Sequence, residues 1–316
     1  MCVTPLQMLI AKKIIELNPN EIFDFVLMPG AKMNDKFKYY FNKLSEKTSQ
    51  SFYYELDGVS GLKKIYKFYD FIKVFKSNFK ITEYNKYYIA SIDNKFFQAI
   101  LSKRKRDSKI YTFDDGVANI YKESIYYVSH NDFIRDFFWN SMGVTCNMDD
   151  IKKNTELHYT IYKNFANIVK DTKFINLINE SDCPFDAGLT TVKIFLGQPL
   201  YELNEMFSKK YINDVLNSLL IDYYFPHPRE TYGVFDNVTM INTSLIFEDY
   251  IIDFLNNNVN LRLEIYSFMS TAGLSVIDLK KVKVFYLVNN ELESIYHTFY
   301  EMLNEKYNGV LFRLSN

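Results

Sequence analysis

Glycine and proline are scarce in this chain, 10 and 7 among 316 residues. So few turn formers exclude collagen-like and low-complexity classes, and most connections must be built from Asn, Asp, Ser and Lys. Cysteine is scarcer still: Cys2, Cys146 and Cys183 are far apart and odd in number. They supply no CxxC, no metal-ligand spacing and no disulfide framework, which suits a reducing compartment. An excess of charge of either sign is also missing, because 37 basic and 38 acidic residues leave a net charge of -1. No global field draws the chain to nucleic acid. It contains no run of 18 apolar residues and no basic-then-apolar leader, so a soluble, cytoplasmic protein is expected, with peripheral membrane contact left open. Aromatic residues are what is plentiful: 28 Phe and 26 Tyr beside a single Trp. With 48% hydrophobic and 24% charged residues, the chain has material for a full core, and its length suggests two domains of ~150 residues each.

The pattern along the chain is strand, helix, strand. Met1–Val3 is a strand stub broken at Thr4-Pro5, and Leu6–Leu17 follows as a helix with Pro5 in its first turn. Phe23–Leu27, Phe52–Tyr54, Tyr87–Ser91 and Lys109–Phe113 read as strands, with helices over 34–47, 59–77 and 94–103. Residues 130–190 lose this rhythm as Asn, Asp and Lys multiply, so the domain crossing is placed there, giving domains 1–165 and 166–316. The alternation restarts with strands Val192–Leu196, Ile221–Phe225, Leu261–Tyr266 and Val282–Leu287. Helices are expected over 203–220, 245–256, 271–280 and 290–306. Two successive α/β sheets describe two Rossmann-like domains facing a cleft, with ligands bound beyond the carboxyl ends of the strands.

Those strand ends carry the candidate chemistry. Asp114-Asp115-Gly116 follows KIYTF. Neighbours leaving a strand point to opposite sides, so one carboxylate is expected to face the ligand. A carboxylate beside another is useful as a base, although a solvated strand-to-loop turn explains the dipeptide equally. Gly197-Gln198-Pro199 follows VKIFL, with Glu202 and Glu205 behind it; alone this is a turn and two helix-start acids. Pro226-His227-Pro228-Arg229-Glu230 follows IDYYF, and two prolines pin the backbone around one histidine. A His so held can donate to a phosphate or protonate a leaving group. His130, His158 and His297 lack such framing and are given structural or surface roles. Ser270-Thr271 opens a helix, either as caps or as part of an anion site, and Glu248 starts the helix before it. No GxGxxG and no GxxxxGK[ST] is present, and one acidic pair without His is a poor divalent site.

Together, FDDG, YYFPHPRE, the Ser-Thr pair and the opening CVTPLQMLIA resemble bacterial sialyltransferases of glycosyltransferase family 52, which act on lipooligosaccharide and capsule. The resemblance runs from residue 2 to about residue 280. It implies a GT-B fold, CMP-sialic acid as donor, inverting and usually α2,3 transfer to galactose, no cofactor and no essential metal. By motif it makes Asp115, or Asp114, the general base and His227 the group on the donor phosphate and general acid. Ser270 and Thr271 become phosphate ligands. Thr4, Gly116, Gln198, Pro228, Arg229 and Glu248 border the substrates. Glu202 or Glu205 is the competing base. Relatives also suggest a homodimer, although no heptad seam argues for one.

Overall fold

The computed structural model describes residues 1–30, 32–56, 61–128, 133–177, 189–307 and 310–314. It divides into two compact units, Met1–Leu177 and Ile178–Asn316.

The N-terminal unit opens on the stub Met1–Val3. Helix α1 (Pro5–Leu17) starts where expected, because Thr4 and Gln7 form a reciprocal capping box and Pro5 takes the first helical position. There follow β1 (Asp24–Leu27), α2 (Asp35–Ser45), β2 (Gln50–Tyr53), α3 (Gly61–Asn78), β3 (Lys86–Ile89), α4 (Lys95–Leu101) and β4 (Lys109–Phe113). Then come α5 (Phe133–Ser141), α6 (Met148–Asn154), β5 (Thr155–Thr160) and β6 (Thr172–Phe174). The strands form a parallel pair, β1-β2, and a parallel four-stranded sheet, β3-β4-β5-β6. The stub joins the two. Cys2 N–H donates to the Val26 carbonyl and Met28 N–H to the Cys2 carbonyl, while the Met1 ammonium donates to the Tyr88 carbonyl at 2.8 Å. Counting the stub as the first strand, the order across the sheet is 3-2-1-4-5-6-7, the doubly wound pattern. A cavity of about 570 Å³ lies between β1 and β3, bordered by Asp24–Val26 and Lys86–Tyr88.

Much of the aromatic wealth is core. Phe68, Phe71 and Phe75 recur at helical spacing on α3, Phe79 follows directly after it, and all four are buried. Phe68 packs edge-on against Phe96 and Trp139, with ring centroids 5.4 and 5.3 Å away.

The C-terminal unit contains β7 (Thr190–Leu196), α7 (Lys209–Leu219), β8 (Tyr223–Phe225), β9 (Thr239–Met240), α8 (Phe247–Asn257), β10 (Leu261–Ser267) and α9 (Thr271–Leu274). It closes with β11 (Val282–Val288), α10 (Asn290–Ile295), α11 (His297–Lys306) and β12 (Leu311–Arg313). One all-parallel sheet runs β12-β11-β10-β7-β8-β9, which is 3-2-1-4-5-6 read from the β9 edge. The α/β expectation and its Rossmann-like halves therefore hold.

Several boundaries differ for local reasons. Within the described residues 133–177 the sheet continues: β6 pairs with β5, His158 opposite Thr172, and the first unit runs to Leu177. The stretch 203–220 is not one helix. Asn204 Oδ1 accepts from Met206 N–H in a side-chain turn, and Ser208 then caps α7 afresh. The closing helix breaks at Tyr296, whose backbone leaves the helical region.

Candidate active site

Each unit gathers polar side chains where its strand order reverses, and the two clusters are chemically different. In the N-terminal unit the reversal lies between the stub and β3, with β4 beside it. Asp114 and Asp115 part company there. Asp114 is fully buried. Its Oδ1 accepts from His158 Nε2 at 2.8 Å and Asn167 Nδ2 at 3.3 Å; its Oδ2 accepts from the Thr160 hydroxyl at 2.8 Å and Ile161 N–H at 2.6 Å. An ionised carboxylate can only accept, so His158 carries its proton on Nε2, and its Nδ1 takes the Thr112 hydroxyl at 2.8 Å. Every acceptor direction of Asp114 is used inside the protein, which makes it a strut of β4 and β5.

Asp115 is only half-buried. Gly116 follows it with φ +61° and turns the chain, a left-handed conformation that glycine adopts without strain. The Asp115 carboxylate accepts from Gln7 Nε2, from Ser91 Oγ at 3.0 Å and from Tyr126 OH at 2.7 Å. The same Tyr126 hydroxyl lies 3.2 Å from Asp93 Oδ1. Burial and the two carboxylates push the Tyr126 phenol far above its ordinary pKa, so it remains a donor. Thr4 enters only indirectly: its hydroxyl caps α1 by accepting from Gln7 N–H at 3.3 Å, which fixes the residue that touches Asp115.

In the C-terminal unit the reversal lies between β7 and β10, and Gln198 spans it. Gln198 Oε1 accepts from Met269 N–H at 2.8 Å and Ser267 Oγ at 3.3 Å, and Ser267 Oγ in turn accepts from Ser270 N–H at 2.9 Å. This chain of bonds shapes the turn into α9. There Thr271 is exposed and Ser270 half-buried, and neither hydroxyl is used in a cap. Beyond β8, Nδ1 of the half-buried His227 accepts from Arg229 N–H at 3.1 Å. The neutral ring therefore carries its proton on Nε2. Pro228 and Arg229 are exposed, and Arg229 Nη1 pairs with Glu202 Oε2 at 3.3 Å. Glu202 is thus engaged, whereas Glu205 is exposed and its carboxylate makes no ion pair or hydrogen bond among the described residues. Glu248 is buried in the first turn of α8, 4% exposed. His130 and Cys183 lie outside the described residues, and no group of three His, Cys, Asp or Glu among those described could hold a metal ion.

Sequence reasoning missed Gln7, Ser91, Tyr126 and Glu230. Gln7 carried a signal, a polar residue on the otherwise apolar face of the first helix. Tyr126 carried none, since one tyrosine among 26 has no local mark.

Comparison with known proteins identifies the family. The model of glycosyltransferase family 52 matches residues 21–291. An N-acetyllactosaminide alpha-2,3-sialyltransferase of Haemophilus influenzae is 34% identical over 288 residues, covering 90% of each chain. The protein of the same name from Neisseria meningitidis serogroup A is 33% identical over 295 residues, covering 90% of this chain and 77% of that one. Among solved structures, the alpha/beta-galactoside alpha-2,3-sialyltransferase of Photobacterium phosphoreum superposes with a TM-score of 0.56 at 13% identity, over 99% of this chain and 96% of the other. That likeness is one of fold and places both units in the GT-B class. With the family match extending across most of both units, this chain belongs to glycosyltransferase family 52 and is a glycosyltransferase.

Proposed function

We propose that the protein is an inverting sialyltransferase, moving sialic acid from CMP-sialic acid to a terminal galactose of a bacterial surface glycan in α2,3 linkage. The relatives' names give the sugar, the linkage and the class of acceptor. The observation that carries the donor assignment is the composition of the C-terminal cluster. It offers one Nε2–H, two hydroxyls and a tight turn, which suits the single phosphate of CMP and asks for no metal or cofactor.

The chemistry divides between the clusters. A carboxylate takes the proton of the acceptor hydroxyl, and that oxygen bonds to the anomeric carbon as its bond to the phosphate oxygen breaks. The transition state has oxocarbenium character. His227 Nε2–H neutralises the departing phosphate and delivers its proton as CMP leaves. Ser270 and Thr271 hold the remaining phosphate oxygens, while Arg229 and Pro228 edge the nucleotide. Asp115 is the base in this reading, since Gly116 turns it outward and three donors fix its direction. One observation favours a second assignment: the Glu205 carboxylate is exposed and, among the described residues, has no partner to give up.

No described helix is long and apolar enough to cross a membrane. A glycan on a lipid nonetheless requires the enzyme at a membrane surface in the cytoplasm. Helix α5 offers Phe133, Ile134 and Phe137, all exposed, for that contact. A second copy covering the same face would give a homodimer instead, and sedimentation with and without lipid vesicles separates the two. The activity itself is tested by release of CMP from CMP-sialic acid with lactose as acceptor, with and without EDTA. We expect release that depends on lactose and survives chelation. No transfer would overturn the function, and full loss in EDTA restored by magnesium would overturn the metal-free chemistry.

A further inference from the structure

Glu230 closes the PHPRE turn and has no role in the reaction just described, yet it touches His227 at both ends. Its backbone N–H donates to the His227 carbonyl at 3.1 Å. Its carboxylate accepts a hydrogen bond from the Tyr224 hydroxyl at 3.0 Å and faces the His227 backbone, which favours its ionised form. The carboxylate is seated against the end of β7: a Cβ on Gly197 would lie 2.2 Å from Glu230 Oε2 and 2.5 Å from the Tyr224 hydroxyl. Gly197 is therefore the residue that makes room for this side chain, which gives the Gly-x-Pro turn a reason to begin with glycine.

We propose that Glu230 is the positioning residue that holds His227 in its donating orientation, and that the hold tightens when its carboxylate ionises. The inference rests on the reading of His227 as the donor to the leaving phosphate. An ionised carboxylate attracts the Tyr224 hydroxyl and the His227 backbone dipole strongly, whereas the acid loses one acceptor oxygen and weakens the other. Burial raises the Glu230 carboxyl to about 7, so the change falls in the working range. The groups facing it are Tyr224 from β8 and Tyr232 beyond the PHPRE turn, with Tyr201 from the turn after β7 packed beside Tyr232. Within the turn are His227 and Arg229, the latter paired with Glu202. Burial pushes the Tyr224 and Tyr232 phenols well up from their ordinary range, which leaves the Glu230 carboxyl as the group that changes charge near neutrality.

The test compares the wild type with Glu230→Gln and Glu230→Asp in two measurements. The first is kcat and KM for CMP-sialic acid with lactose across about pH 6 to 8. The wild type should show a rise in kcat through about pH 7. Glu230→Gln should lose that step and lie about 10-fold to 10²-fold lower at the alkaline end, the range for a displaced catalytic group, with KM little changed. Glu230→Asp should restore part of the step. The second measurement is ring-nitrogen NMR of histidine-labelled protein, tractable because the chain has four histidines and His227→Ala assigns the signal. In the wild type the His227 ring should sense a second titration near pH 7 and stay in the Nε2–H tautomer; in Glu230→Gln both features should disappear. A Glu230→Gln enzyme with the wild-type step and unchanged His227 signals overturns the inference. The NMR requires no substrate. Absent transfer with the Glu230–His227 coupling present would therefore sink the sialyltransferase reading and leave this one standing.

Discussion

Two adjacent aspartates show how far local environment divides chemically identical side chains. Asp114 is consumed by four donors, so Asp114→Asn would turn an amide N–H₂ toward groups that are themselves donors. The expected outcome is a loss of about 2–4 kcal/mol in stability, measured by denaturant unfolding, with CMP affinity unchanged in whatever fraction remains folded. Asp115→Asn should instead fold normally, retain CMP-sialic acid binding and lose about 10²–10⁴-fold in transfer, as expected for removal of a base. Were Glu205 the base, the collapse would appear in Glu205→Gln and Asp115→Asn would remain active, so the two variants measured together decide. His227→Ala should lower turnover by about 10²-fold or more through loss of the donor to the phosphate, and a folded variant at wild-type rate would make His227 merely structural. The sequence made the split between the aspartates legible, because alternation along a strand sends neighbours to opposite faces. It could not show that His158 is what Asp114 faces: that histidine sits 44 residues later on a strand flanked by Glu, Lys and Asn.

Among the elements, the strands with long β-branched and aromatic runs were legible, and those whose burial is supplied by distant neighbours were not. β4, β7, β10 and β11 stand out because both faces are covered and the run is nearly continuous. β5 and β6 are hidden by polar residues, since β6 is a short edge strand with every residue exposed. The PHPRE turn was legible as rigid, but the fit between Gly197 and Glu230 joins two segments 33 residues apart and has no local mark.

At the scale of the whole molecule, the same strand order occurs in both units, and the groups proposed to face the donor all lie in the second. Hydrogen exchange with and without CMP should therefore show protection in residues 197–199, 226–231 and 267–273 while residues 114–119 exchange unchanged. CMP at a hundredfold excess over its Kd should stabilise the protein by about 2.7 kcal/mol. Protection concentrated around Asp115 instead would reverse the assignment of donor and acceptor sides. The motifs at the strand ends were legible in the sequence, but not the reason each sits where it does, which is the reversal of strand order and emerges only when the sheets are assembled. The single tryptophan, Trp139, belongs to the first unit, 8% exposed between Phe68 and Phe138. Light absorbed by indole thus reports on one half of the protein, while the phenols, spread through both, report on the whole. An optical titration in which CMP alters tyrosine absorbance and leaves tryptophan emission silent, and an acceptor sugar does the reverse, would read the two binding events separately in one unlabelled sample.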